Sequence, residues 1–274
     1  MTAVWMDGVL VDEAEARVSP FDHGLLTGDG VFETLRVTRR RPFALRRHVE
    51  RLAHSCAGLR LACPPAATVL GAIDAVIGAN GLDDGRLRIT VTGGPAPLGS
   101  DRGCTGPTVI VAGGALPAWP ASTDVVVVPW PRNERGALAG LKTISYGENV
   151  VALAHARDHA AGEAIFGNLA GNLCEGTGTN VFVGVGGRLV TPPLSAGCLA
   201  GVTRDLLIEL VEVVEADLPL AALASAEEAF VTSSTRDVQP IRAVDGQVLP
   251  ACPGPLTERA AAAFADLVAR DLDP

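Results

Sequence analysis

Lysine is almost absent from this chain. Lys142 is the only one in 274 residues, and the other 21 basic side chains are arginine. Tyrosine is equally scarce, with Tyr146 alone, four residues on in the same loop. Other shortages exclude whole classes of protein. No apolar run approaches the roughly 18–20 uncharged residues needed to cross a bilayer. Positive charge is outnumbered, 22 basic against 31 acidic side chains, so the net charge of −9 leaves no basic face for nucleic acid. The first 18 residues lack a basic segment followed by an apolar one, so no signal peptide is visible and a cytoplasmic location is expected. The six cysteines, at 56, 63, 104, 174, 198 and 252, form no C-x-x-C pair and read as buried thiols rather than a disulfide framework or zinc site. His155 and His159 share a helix face in "HARDH", but Ala156 stands where a metalloprotease helix needs glutamate.

What is present is a core-forming composition, 48% apolar and 19% charged. The strands "VWM" and "VLV" flank Asp7-Gly8, a favoured hairpin turn. The alternation over 30–39 predicts a strand, and the stripe Leu45, Val49, Leu52, Cys56 predicts a helix over 45–61. A second helix is expected at 66–79, then strands at 86–94 and 108–114. The two prolines of "ALPAWPAS" (115–122) mark a linker. Beyond it come a strand "DVVVVPW", the Lys142 loop and a helix over about 148–161. A hairpin "CEGTGTNVFVGVGGRLVTP", a helix from Gly201, a strand "AFVTSS", an Asp-Gly hairpin at 245–246 and a closing helix follow. Strands and helices cluster rather than alternate, so the expectation is α+β in two domains, 1–114 and 123–274, joined by 115–122.

The single lysine has a chemical reading. Arginine stays protonated at any working pH, whereas a lysine amine becomes neutral when its surroundings lower its pKa. Only the neutral amine attacks a carbonyl to form a Schiff base. A GC-rich coding bias would leave the same composition by chance, so the neighbours must decide. A pyridoxal phosphate site also needs a carboxylate for the ring nitrogen, and backbone N–H groups with arginine for the phosphate. Glu175, in "NLCEGTGTNVFVGV", is an acid within an apolar strand pair, which is costly without a partner. Gly201, Val202 and Thr203 open the helix of "LAGVTRDLLIEL" and offer its first N–H groups.

Six ordered blocks run nearly end to end: "DHGLLTGDGVFETLR", "HVERL", "LKTISY", "CEGTGTNVF", "TPPLSAGCLAGVTRD" and "FVTSSTRDVQPI". Together they resemble the fold-type IV pyridoxal-phosphate enzymes, the class-IV aminotransferase family. The resemblance implies a small N-terminal α/β lobe and a larger C-terminal lobe with a pseudo-barrel, pyridoxal 5′-phosphate as cofactor, and a homodimer with loop 95–106 reaching the neighbour's site. It makes Lys142 the Schiff-base lysine and proton shuttle, and Glu175 the partner of the ring nitrogen. Arg51 becomes the phosphate arginine; on spacing alone it would lie on a surface helix beside Glu50. Val202, Thr203 and Ser234 match the phosphate cup, Leu199 the apolar residue beneath the ring, and Tyr146 a partner of the phenolic oxygen.

The lysine site serves transfer and elimination alike. The blocks "CEGTGTNVF" and "TPPLSAGCLAGVTRD" look more like aminotransferases than lyases. The arginine and histidine that trap the substrate carboxylate in typical D-amino-acid enzymes are replaced by Leu98 and Ser100. Thr27 stands where branched-chain members carry tyrosine. Arg88 resembles a substrate-side arginine of the branched-chain pattern; Arg86 and Arg88 share one strand face, which would be ordinary surface if solvated. The expected substrates are small amino and 2-oxo acids, such as pyruvate or 2-oxoglutarate, with an atypical D-amino-acid transaminase favoured. A branched-chain or (R)-amine transaminase is the alternative, as is an aminodeoxychorismate lyase making 4-aminobenzoate and pyruvate.

Overall fold

The computed structural model describes residues 2–274, which divide into two compact units. The first holds residues 2–117 together with Leu141–Tyr146 and Asp271–Pro274; the second holds Ala118–Gly140 and Gly147–Arg270. The Lys142 stretch, expected within 123–274, thus belongs with the first unit. Backbone pairing explains why: Phe32 N–H donates to the Lys142 carbonyl at 3.0 Å, and Ile144 N–H to the Gly30 carbonyl at 2.9 Å. Gly30 permits this approach, because a Cβ there would lie 2.7 Å from the Ile144 side chain.

The first unit is built on β1 (Ala3–Met6), β2 (Val9–Asp12), β3 (Gly30–Thr38), β4 (Arg41–Pro42), β5 (Gly85–Thr92) and β6 (Val109–Gly114), in the order β2-β1-β6-β5-β3-β4. The short helix α1 (His23–Thr27) and the longer α2 (Leu45–Gly58) and α3 (Ala66–Asn80) complete it. Val31, Leu35 and Val37 of β3 are fully buried with Leu52 and Cys56 of α2 and Ile73 and Val76 of α3. Helix α2 ends three residues earlier than its apolar stripe suggested. Arg60 takes a left-handed conformation and Leu61 N–H closes onto the Cys56 carbonyl at 2.8 Å. Its N-terminus has no local side-chain cap; the Asp273 carboxylate accepts from Arg46 N–H at 2.9 Å instead.

The second unit carries a nine-stranded sheet formed by β7 (Thr123–Val127), β8 (Glu163–Gly167), β9 (Leu173–Gly176), β10 (Asn180–Val185), β11 (Arg188–Thr191), β12 (Val214–Glu215), β13 (Glu228–Ser233), β14 (Asp237–Val244) and β15 (Gln247–Val248). Its order is β12-β11-β10-β13-β14-β7-β8-β9, curled into a half-barrel, with β15 pairing β14. Helices α4 (Gly147–Asp158), α5 (Val202–Leu210) and α6 (Pro255–Arg270) complete the unit. Within the expected hairpin at 174–192 only β10 and β11 pair in that way; β9 pairs with β8. Strand β8 escaped the sequence reading because all five residues are buried and it runs parallel to β7, so polarity does not alternate along it. Among the described residues, no helix is long and apolar enough to cross a membrane.

Candidate active site

Side chains alternate across a strand, and β3 puts two different chemistries on its two faces. On one face lies Phe32. The Lys142 Nζ stands 4.2 Å from the centre of its ring, and the Arg88 guanidinium carbon 3.8 Å from it. Tyr146 meets the same ring edge-on, with centroids 5.2 Å apart. Arg88 comes from β5, where it pairs with Thr34 of β3, and its Nε donates to Thr90 Oγ1 at 3.2 Å. Arg86 and Arg88 do share the exposed face of β5, but Arg88 is stacked on an aromatic ring rather than simply solvated.

On the other face lies Glu33, fully buried between Val31 and Leu35. Helix α2 answers it with one side. Arg51 Nε donates to Glu33 Oε1 at 2.8 Å, Arg51 Nη2 to Oε2 at 2.7 Å, and His48 Nδ1 lies 2.7 Å from Oε2. Burial pushes the Glu33 carboxyl up, but the Arg51 charge and the bonds from Arg51 and His48 overcome it and hold the pKa at about 2. Arg51 is therefore not the surface partner of Glu50, which pairs with Arg46 instead. Ser55, on the same helix, is buried, and its hydroxyl accepts the Lys142 backbone N–H at 3.1 Å. Glu33 and His48 lie within two of the ordered blocks with no role assigned to them there, and Ser55 lies outside the blocks; the pairing of β3 with α2 brings the three together.

Other expected residues of this unit have different surroundings. Thr27 is exposed, and its hydroxyl donates to the His23 carbonyl at 2.9 Å. Leu98 is 75% exposed. The one arginine of loop 95–106, Arg102, is turned back: Nε and Nη2 donate to Asp29 at 2.5 Å, and Nη1 to the Arg60 carbonyl at 2.8 Å.

In the second unit Glu175 is half-buried on β9. Arg132 Nε donates to its Oε1 at 3.1 Å, and Leu199 N–H to its Oε2 at 2.9 Å. Asn180 Nδ2 donates to the Leu199 carbonyl at 2.8 Å. Gly201 lies against Asn180 so closely that a Cβ would collide with its side-chain oxygen. Helix α5 then starts at Val202 with no side-chain cap, leaving its first turn to receive an anion; Val202 and Thr203 are buried there. Ser234 sits half-buried in the turn between β13 and β14. That turn is fixed by Arg236, which stacks on Trp119 at 4.0 Å and reaches the buried Glu163 at 3.2 Å. Glu163 also accepts Thr177 N–H at 3.1 Å, so the turns beside Glu175 and Ser234 hang on one carboxylate.

The first unit offers a lysine amine and an arginine held by a buried acid, and the second offers an acid held by Arg132 and Leu199 and an uncapped helix start; each is a kind of donor that pyridoxal phosphate requires. The residues present fit that group.

Residues 30–244 match the family model described as amino-transferase class IV. The chain is 35% identical to a putative branched-chain-amino-acid aminotransferase of Methanocaldococcus jannaschii, covering 90% of this chain and 89% of that one. It is 31% identical to an aminodeoxychorismate lyase of Bacillus subtilis, with 88% and 86% covered. Identity to a D-alanine aminotransferase of Bacillus licheniformis is 30%, with 93% of each chain covered. Among solved structures, the branched-chain aminotransferase of Thermoproteus uzoniensis with norvaline is similar at a TM-score of 0.89 and 30% identity, over 97% of this chain and 94% of that one.

Proposed function

Because this chain belongs to the class IV aminotransferase family, whose cofactor is pyridoxal 5′-phosphate, we propose that it moves the amino group of an apolar α-amino acid, of the branched-chain class, to a 2-oxo acid. The carrying observation is the Phe32 ring, with the Lys142 amine at 4.2 Å and the Arg88 guanidinium at 3.8 Å from its centre. An amine that exchanges with the substrate's nitrogen and a cation for its carboxylate are thereby set on one apolar surface. When bound, the cofactor supplies an aldehyde for the lysine amine and a ring that draws electrons from the substrate's Cα.

The chain's own residues do the rest. Lys142, as the neutral amine, takes the Cα proton of the substrate and later returns it. Glu175, oriented by Arg132 and Leu199, would hydrogen-bond the ring nitrogen and keep it protonated. Arg51, the first turn of α5 at Val202 and Thr203, and Ser234 would hold the phosphate. Leu199 would supply apolar cover for the ring, Tyr146 a hydrogen bond to the phenolic oxygen, and Thr27 a substrate-side hydroxyl. Arg88 takes the carboxylate.

The preference for D-amino acids expected from the sequence is the second reading, favoured by the likeness to the D-alanine aminotransferase. It has less support. The D-type carboxylate trap would need cations in loop 95–106, where Leu98 and Ser100 stand and Arg102 is spent on Asp29. A homodimer is part of the proposal, supported by the exposed apolar side chains Phe21, Leu25, Leu26 and Leu98 of the first unit. Light scattering of the purified protein reads the mass directly, and a monomer would refute that part.

A half-reaction scan tests the rest. L-leucine, D-alanine, (R)-1-phenylethylamine and aminodeoxychorismate are added separately, and the visible absorbance of the bound cofactor is followed. L-leucine is expected to bleach the band. Bleaching by D-alanine and not by L-leucine would establish the second reading. Release of 4-aminobenzoate and pyruvate would establish the lyase. Borohydride is expected to fix the cofactor to the peptide carrying Lys142, and Lys142→Ala to abolish that mass increment.

A further inference from the structure

A charge on the core face of a strand needs a reason. Glu33 lies among Val31, Leu35 and the apolar side of α2, where an apolar residue would serve packing as well or better. Instead both of its oxygens are occupied. Arg51 grips them along its Nε–Nη2 edge at 2.8 and 2.7 Å, and His48 supports Oε2 at 2.7 Å. With Glu33 ionised, His48 must carry its proton on Nδ1. Such fork-to-fork pairing fixes the plane of a guanidinium as well as its place. The Nη1 corner is thereby turned away from Glu33. Helix α2 and strand β3 are already joined by Leu52, Cys56 and Leu35, so the pair is not required merely to dock them.

We propose that Glu33, braced by His48, is a positioning residue that sets the Arg51 guanidinium for the cofactor's phosphate. The inference rests on the reading of Arg51 as the phosphate arginine. Glu33 does not itself touch the cofactor in this account. It acts through Arg51, and its loss should be felt only by ligands that carry the phosphate.

The test compares two ligands that share ring and aldehyde. The full-length chain, freed of cofactor, is titrated with pyridoxal 5′-phosphate and separately with pyridoxal. Glu33→Gln keeps the shape of the side chain but removes the charge and one acceptor. It is expected to weaken the phosphorylated ligand about tenfold, the worth of one charge-assisted hydrogen bond, and to leave pyridoxal unchanged. Equal weakening of both ligands, or of neither, overturns the proposal. Arg51→Gln run beside it separates the two claims. If Arg51→Gln leaves the ratio of affinities unchanged, the phosphate assignment of Arg51 itself is wrong. If Arg51→Gln lowers the ratio and Glu33→Gln does not, only the positioning role fails. Glu33→Asp keeps the charge but draws the carboxylate back by one methylene, and it carries the same comparison should Glu33→Gln not fold. A smaller loss confined to the phosphorylated ligand supports the proposal, and no loss overturns it.

Discussion

Arg132 and Glu175 form an ion pair at 3.1 Å on the second unit's sheet, with the Arg132 guanidinium laid 4.0 Å over the ring of Phe166. The arginine is fixed on another side by Asn149 Oδ1 at 3.0 Å, so it holds Glu175 rather than following it. Arg132→Met removes the bond to Oε1 of Glu175 and keeps the one from Leu199 N–H to Oε2. Loss of one charge-assisted bond is worth about 1.5–3 kcal/mol, so kcat is expected to fall roughly 10- to 100-fold while cofactor stays bound. Glu175→Gln, which removes the acid outright, should cost at least as much. Steady-state kinetics with a fully loaded enzyme decide this, and an Arg132→Met enzyme within about twofold of wild type would show that Arg132 is not needed to hold Glu175.

Acid should destabilise the protein in two stages. His48 is held below its ordinary 6.5 because burial, with the Arg51 and Lys142 charges, outweighs the bond to Glu33. The unfolded chain therefore takes a proton there before the folded one does, and stability begins to fall as the pH drops through 6.5. Glu33 titrates near 2 in the fold against an ordinary 4.5. Its contribution is complete above 4.5 and is lost as the pH falls toward 2, a difference worth about 3 kcal/mol. Urea unfolding across this range should give a flatter acid limb for Glu33→Gln than for wild type, and a flatter neutral limb for His48→Gln. Parallel curves for all three proteins would contradict the assignment.

The periodic elements were legible because their cause is local. The Asp7-Gly8 hairpin, the β3 alternation and the closing helix each announce themselves within a dozen residues. Lys142 and Glu175 drew notice for another reason: the chain has no other lysine, and an acid in an apolar strand pair demands a partner. The partners were not legible. Arg132 lies 43 residues from Glu175, and His48 and Arg51 lie 15 and 18 residues from Glu33, with nothing in the spacing to link them. Glu33 in "VFETLR" follows the core side of its strand, so alternation alone would have marked it as misplaced. That misplacement was the signal to follow.

Loop 95–106 is held by a clip that the sequence did not suggest. Arg102 binds both oxygens of Asp29 and the carbonyls of Leu59 and Arg60, tying the loop to the start of β3 and the end of α2. The pair is partly exposed, 32% for Arg102 and 12% for Asp29, so it contributes little to global stability. Arg102→Met should leave the melting temperature within about 2 °C of wild type while opening the loop locally. Limited proteolysis then cuts between residues 95 and 106 faster than in wild type. An unchanged cleavage rate would show that the backbone alone holds the loop.

Arg88 carries the sharpest test of substrate class. Its guanidinium covers the Phe32 ring at 3.8 Å, and Phe32 also bears the Lys142 amine, so removing the cation changes charge and packing together. Arg88→Met removes the charge while keeping much of the apolar cover. If Arg88 receives the substrate carboxylate, KM for an amino acid rises about tenfold or more, as expected for one lost charge-assisted contact. An amine without a carboxylate, such as (R)-1-phenylethylamine, gains nothing from that contact, so its kcat/KM should hold or improve. The ratio of the two specificity constants is therefore the quantity to measure, because damage to Phe32 packing would lower both alike. A parallel fall would make Arg88 a support for the ring and move the carboxylate site elsewhere.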